Sequence, residues 1–358
     1  MKITVNKSEL AAALKRAGKT CSSHGNIPVL SNVKISALSA GDSSISIEST
    51  NLDQYTSIKV DADVVEKGEV LAPFRRFNSI IANLEGETVE LESDDSKTQI
   101  RAGRFKASVE GVDVADWPQS KAEVNQCYDI DGNQLSNAIQ SVIGCVYVDE
   151  SRYILNGVFV QCIDSVVSVV ATDGRQLAAH SFEADWRDFD VVIPTLAADA
   201  IIDSCKGADT VEICFGDDAV GVATNCTKIW SKTIAGKFPN WRQVMPDESA
   251  MRTFPAPHKK LLGILRRVGL VADPLTGCVR LDGDADGIAV SASNAGESAS
   301  EKLDCESPEF GVSVNHDFLA KMLATIEGES VDIKVGEDES PVLIQSDGLK
   351  YIIMPMRK

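Results

Sequence analysis

A helix, a glycine and a strand recur three times in this chain at one fixed interval, and that interval bounds what the chain can fold into. In FLAKMLATIEGESVDIKVGED, residues 318–338, the side chains of Leu319, Met322, Leu323 and Ile326 fall at the i, i+3, i+4, i+7 spacing of one helix stripe. Gly328 stops the helix, and Val331, Ile333 and Val335 then alternate with Asp332 and Lys334 as in a strand with one buried face. Upstream, Phe77, Ile80, Ile81 and Leu84 lead to Gly86 and on to Val89 and Leu91. In the middle, Leu196, Ile201, Ile202 and Cys205 lead to Gly207 and on to Val211, Ile213 and Phe215. Gly86, Gly207 and Gly328 follow one another at 121 residues. Solenoid repeats run to only about 20–50 residues. Each copy here is therefore a small domain that buries its own core.

Three such repeats fill the 358 residues, and 44% hydrophobic content supplies ordinary cores for all of them. Strand patterning lapses and proline intervenes near Trp117-Pro118 and Met245-Pro246, which sets domains at 1–119, 120–247 and 248–358. Each repeat also opens with a helix. The first runs from Ser8 to Lys19, with Ser8 as N-cap and Leu10, Leu14 and Ala17 inward; the others cover 133–144 and 257–267. Short strands such as Ser44–Ile47, Val158–Val160 and Tyr351–Ile353 fill the rest, so the expected class is α+β, two helices and antiparallel sheets per domain. The opening MKITVNKSEL reads as a strand leading into a helix, not a signal peptide, and no run approaches the roughly 18 apolar residues of a membrane span. A cytoplasmic protein is expected. The nine cysteines, odd in number and without a CxxC pair, read as reduced small hydrophobes.

A net charge of −18 argues by itself against a nucleic-acid binder. The distribution of that charge points the other way. The six helical windows 8–19, 74–84, 133–144, 195–206, 257–267 and 315–326 hold eleven basic and four acidic residues, a net of +7 that leaves −25 on the remainder. If the six helices share a face, that face attracts a polyanion while the strand-built remainder repels it. Windows 133–144 and 195–206 are the weak members, at −1 between them.

Motifs for chemistry are missing from the sequence: the four histidines sit outside any HExxH or Cys/His spacing, and there is no GxSxG elbow or phosphate loop. Asp282-Gly283-Asp284-Ala285-Asp286-Gly287 begins like a calcium loop but has Ser293 at the place of the bidentate glutamate, and reads as an acidic hairpin turn. No enzyme activity, metal or cofactor is expected. A metal-assisted hydrolase built on scattered Asp and His residues is the weak competitor.

Two further segments stand out. In ATDGRQLA, residues 171–178, an apolar strand meets an Asp-Gly turn and continues as a second strand. The closing YIIMPMR, residues 351–357, is a strand interrupted by proline and carrying two methionines, suited to an adaptable apolar surface. With Arg152–Gly157 (RYILNG), Phe238–Trp241 (FPNW) and the threefold period, these segments resemble the bacterial sliding clamps, the β subunits of DNA polymerase III, over essentially the full length.

That resemblance implies a head-to-tail homodimeric ring of six domains, with helices lining a hole that encircles duplex DNA without sequence readout. It would serve as a polymerase processivity factor. It places His24, Arg75, Arg76, Arg152 and Tyr153 toward DNA. A groove for short apolar peptides of polymerase and clamp loader would use Leu155, Thr172, Gly174, Arg175, Leu177, Pro239, Val244, Ile352, Ile353, Met354, Pro355 and Met356. Phe105, Leu270 and Val271 correspond to apolar dimer contacts, with Arg104 opposite Glu297 and Glu301. Three departures bear on grip and preference: Arg175-Gln176 where DGHR is usual, Gln243 where a basic residue often follows, and a second helix of the middle repeat that opens without basic residues. The alternative is a β-rich scaffold that recruits peptides but has no affinity for DNA.

Overall fold

The computed structural model describes residues 1–21, 27–94, 97–118, 124–326, 328–337 and 340–356. The first third runs β1 (Lys2–Asn6), α1 (Lys7–Ala17), β2 (Asn32–Ala37), β3 (Ser44–Thr50), β4 (Gln54–Glu66), β5 (Gly68–Pro73), α2 (Phe74–Ala82), β6 (Thr88–Asp94), β7 (Lys97–Ala102) and β8 (Phe105–Glu110). The middle third repeats that order: β9 (Gln126–Asp131), α3 (Gly132–Val142), β10 (Gly157–Ile163), β11 (Val166–Thr172), β12 (Gln176–Glu183), β13 (Phe189–Pro194), α4 (Thr195–Cys205), β14 (Thr210–Phe215), β15 (Ala219–Ala223) and β16 (Thr227–Lys232). The last does so again: β17 (Arg252–Ala256), α5 (His258–Val268), β18 (Cys278–Asp284), β19 (Gly287–Asn294), β20 (Glu297–Leu303), β21 (Phe310–Asn315), α6 (His316–Leu323), β22 (Val331–Val335), β23 (Val342–Ser346) and β24 (Leu349–Ile353). Each repeat is strand, helix, four strands, helix, three strands. The three spaced glycines follow the second helices and take positive φ, +94° at Gly86, +78° at Gly207 and +101° at Gly328, which L side chains adopt only under strain.

Two compact units cut across the repeats: Met1–Ser136 with Leu196–Thr233, and Asn137–Thr195 with Ile234–Lys358. In the first unit the sheet order is β8-β7-β6-β1-β4-β16-β15-β14-β9, with β2, β3 and β5 off this path. Strand β4 makes this possible by its length: its first half pairs with β16 and its last residues with β1. Ile3, Leu10, Leu14, Ile35, Ile47, Phe77, Ile81 and Leu91 fill the core beneath, so the expected stripe of α1 is the buried one. The second unit holds an eight-stranded sheet, β13-β10-β11-β12-β24-β23-β22-β17, and a four-stranded one, β20-β19-β18-β21. All recorded strand pairings are antiparallel, and the acidic Asp282–Gly287 segment is the hairpin turn of β18 and β19.

Local details correct the sequence reading. The N-cap of α1 is Asn6, whose side-chain oxygen accepts from Ser8 N at 2.9 Å and Glu9 N at 3.3 Å, so Ser8 lies inside the helix. Helix α6 ends at Leu323, short of Ile326, and Leu196 of α4 is exposed. The cysteines are not all reduced: Cys127 on β9 and Cys214 on β14 stand directly opposite one another and are disulfide-bonded, with Cα atoms 4.0 Å apart. Cys145 and Cys205 do behave as buried apolar groups, and burial pushes both thiols up to about 12.

Candidate functional site

The residues expected to line a peptide groove all lie within the second unit. Leu155, Leu177 and Ile352 of that set belong to one buried apolar cluster with Phe159, Val170, Phe238, Trp241 and Leu343, in which the Phe159 and Phe238 rings stack at 4.5 Å. Strands β12 and β24 supply Leu177 and Ile352 as a directly opposed pair. The rim is exposed: Val244 is 51% and Met354 43% accessible, beside Gly174, Arg175 and Pro239. Backbone hydrogen bonds clip down the segment after β24, Met354 N to Arg175 O at 2.9 Å and Met356 N to Ser313 O at 2.8 Å. Pro355 and Met356 are thereby held half-buried at one end.

The Asp-Gly turn explains one departure. Thr172 Oγ1 donates to Gln176 O at 2.6 Å, and Asp173 accepts from Arg175 N, Gln176 N and Gln176 Nε2 at 2.8–2.9 Å. Gln176 is buried, and its Oε1 accepts from the Tyr351 hydroxyl, so it braces the turn against β24. Arg175 alone of this pair points outward. Near Gln243 the cation is Arg242, which lies 4.3 Å over the Trp241 ring and donates to Gln161 Oε1 at 2.6 Å. Ile353 does not line the groove. It alternates to the opposite face of β24 from Ile352 and is buried there.

The helices gather in threes. In the first unit α1 packs on α2 at Gly18, where a Cβ would run into the Phe74 ring, and Lys19 just past α1 pairs with Asp203 of α4. In the second, the end of α3, α5 and α6 border a cleft of about 560 Å³ lined by Gln140, Ile143, Arg266, Leu270, Asp317, Ala320 and Lys321. Arg75, Arg76, Lys259, Lys260, Arg266 and Lys321 are exposed and make no ion pair among the described residues. His24 lies outside the described residues. Tyr153 is 62% exposed, but Arg152 turns toward the groove: it stacks 5.5 Å over Tyr147, and its Nη1 is 3.1 Å from where a Gly174 Cβ would stand.

The residues expected at a dimer interface occupy two sheet edges and the turn after α5. Phe105, 44% exposed, begins the edge strand β8, with Arg104 in the turn before it. Glu297 and Glu301 lie on β20, an edge of the four-stranded sheet, and Leu270 (85% exposed) and Val271 follow α5. Glu301 is already taken: Arg267 donates to both its oxygens at 2.8 and 2.5 Å and holds its carboxyl below the usual range. Of the two acids expected near Arg104, Glu297 is the one without an ion pair among the described residues.

Family models for the DNA polymerase III beta subunit match in sequence, the N-terminal domain at residues 1–121, the central domain at 129–240 and the C-terminal domain at 242–357. A beta sliding clamp of Caulobacter vibrioides is 26% identical over the whole of both chains, and one of Chlamydia pneumoniae 25% over 100% of this chain and 99% of its own. Among solved structures, a DNA polymerase III subunit beta from Pseudomonas aeruginosa bound to griselimycin superposes with a TM-score of 0.92 at 22% identity, covering both chains fully. A DNA polymerase sliding clamp from Bacillus subtilis does so at 0.88 and 23%, covering 100% of this chain and 99% of its own. With all three domain models matched in order along the chain, the protein belongs to the DNA polymerase III beta subunit family, the beta sliding clamps.

Proposed function

We propose that two copies of this chain close head to tail into a six-domain ring around duplex DNA and tether a polymerase there, performing no chemistry themselves. The observation that carries this reading is how successive repeats join. The eighth strand of the middle repeat, β16, pairs with the fourth of the first, β4; the eighth of the last, β24, pairs with the fourth of the middle, β12. Thr227 faces Ile58 in one joint and Leu349 faces His180 in the other, so both partners advance by 122 residues. Of the fourth and eighth strands of the three repeats, only β8 and β20 lack such a partner among the described residues. The same step taken once more sets Phe105 of one copy opposite Lys302 of the next, Lys106 opposite Glu301 and Val109 opposite Ser298. Lys106 then lies beside Glu301 together with Arg267, an opposite-charge contact, while Glu110 falls opposite Glu297.

The exposed cations of α2, α5 and α6 then meet phosphates through screened contacts that permit sliding, and encirclement supplies the residence time. The groove holds apolar peptides of polymerase and clamp loader, raising their local concentration on DNA. We infer the cytoplasm as the compartment from the family's part in replication.

Paired cysteines at Ala107 and Ser300 are predicted to crosslink one chain to another under mild oxidant, giving a dimer band that neither single variant gives. The intact protein, once loaded, is retained on nicked circular DNA and lost when that DNA is linearised. A monomer by light scattering at micromolar concentration, or equal retention on both DNA forms, would overturn the ring; retention on neither form, with the groove intact, would favour the scaffold reading.

A further inference from the structure

The outer face of the β9–β14 pair carries a group of side chains that neither ring nor groove uses. Cys127 stands opposite Cys214, and two residues along, Asp129 stands opposite Glu212. Alternation puts all four on one face, since Ile130, Val211 and Ile213 between them are buried in the core. One ligand atom each from Cys127, Glu212 and Cys214 lies within 4.8 Å of the others, and the Cys214 sulfur is 3.7 Å from Glu212 Oε2. Asp131, next along β9, is already engaged, accepting from Gln134 N at 2.8 Å at the start of α3. Asp129 has no such engagement among the described residues. Two carboxylates directly opposite on neighbouring strands repel, in a chain already at −18, and a cation between them removes that penalty. On the far side of Cys214 its cross-strand neighbour is Gly221, so β15 sets no side chain opposite it, and Val124 lies 4.0 Å from where a Gly221 Cβ would stand.

We propose that in its reduced form this face binds one thiophilic divalent cation of the zinc class through Cys127, Cys214 and Glu212, with Asp129 or water completing the shell. Reduction of the Cys127–Cys214 bond by a dithiol takes up two electrons and two protons and leaves two thiols; the cation then displaces both protons. Tetrahedral thiolate coordination at about 2.3 Å per bond needs the two sulfurs roughly 3.8 Å apart, which side-chain rotation on opposed residues supplies without moving the strands. Disulfide and cation exclude one another, so the site is loaded only where thiols stay reduced.

The test uses the full chain, fully reduced, desalted without oxygen and titrated with Cd²⁺, following the ultraviolet cadmium–thiolate absorption. One Cd²⁺ per chain is expected, none in protein oxidised at this pair, loss of that equivalent in Cys127→Ser, and parental binding in Cys226→Ser. Glu212→Gln, which keeps both thiols and leaves the core untouched, is expected to bind about tenfold more weakly, in line with the loss of one ligand of a shared shell. Equal stoichiometry in parent and Cys127→Ser, or binding by the oxidised protein, would overturn the site; unchanged affinity in Glu212→Gln would overturn the carboxylate's place in it.

Discussion

Truncating the groove's rim at Val244 and Met354 is the most direct measure of what the groove does. Full burial of a valine or methionine side chain stabilises by roughly 1.5–3 kcal/mol. About half of each is still in water, 51% and 43%. A bound apolar peptide therefore gains about 1 kcal/mol from covering each, and alanine at either position weakens binding about fivefold. The two sit on different segments, one after Trp241 and one after β24, so their losses should add to about 2 kcal/mol, roughly thirtyfold in Kd. Fluorescence anisotropy with a labelled apolar peptide from a polymerase subunit reads this directly. The Met354→Asp, Met356→Asp variant, which sets carboxylates where the peptide sits, abolishes binding. Ile353→Val, on the opposite face of the strand, leaves it unchanged. A Val244→Ala, Met354→Ala protein that melts as the parent does and binds within threefold of it would refute the groove's assignment.

Other expectations concern the scaffold. Gly207→Ala meets no neighbour within 4 Å, so its destabilisation comes from φ +78° alone. Thermal melting should show about 1–2 kcal/mol, a fall of a few degrees. Tyr351→Phe removes the hydroxyl that donates to buried Gln176, and about 1–3 kcal/mol of stability should be lost with it. Glu248 accepts from Lys334 and Lys350 at 2.5 Å each, and the Lys334 bond foremost holds its carboxyl below the usual range. A depressed folded pKa contributes stability that is fully present above the unfolded value near 4.3 and is lost as pH falls through the folded one. Acid unfolding monitored by circular dichroism should accordingly be less steep below that value in Glu248→Gln than in the parent.

Features written locally are legible in the sequence. The stripes of Leu10, Leu14 and Ala17 and of Leu319, Met322 and Leu323, and the glycines that end the second helices, need only neighbours within a few turns, and all six helices fall within a few residues of their windows. Even there the cap of α1 lies two positions from the expected one, because Asn6 and Ser8 are both good capping residues and only the backbone decides between them. What depends on partners far along the chain is not legible. Cys127 and Cys214 are separated by 87 residues, and nothing near either marks the other. Glu301 reads as a free acid until α5 is laid against β20 and Arg267 reaches it. Gln176 reads as a departure in a binding turn until Tyr351, 175 residues on, is seen to donate to it. Short signatures mark the residues of the proposed groove; which of them are buried, exposed or on the opposite face depends on the pairing of β12 with β24.

The thirteen residues of β4 have a kinetic consequence. Its leading half has its edge hydrogen bonds to β16 made only after some 170 more residues of chain have followed, and the first compact unit closes with Thr233 although the second has begun at Asn137. Neither compact unit coincides with a repeat, since the middle third is shared between the two. Such distant pairings slow folding through loop closure. During synthesis, the first third waits on the ribosome for strands from the second before its sheet is complete.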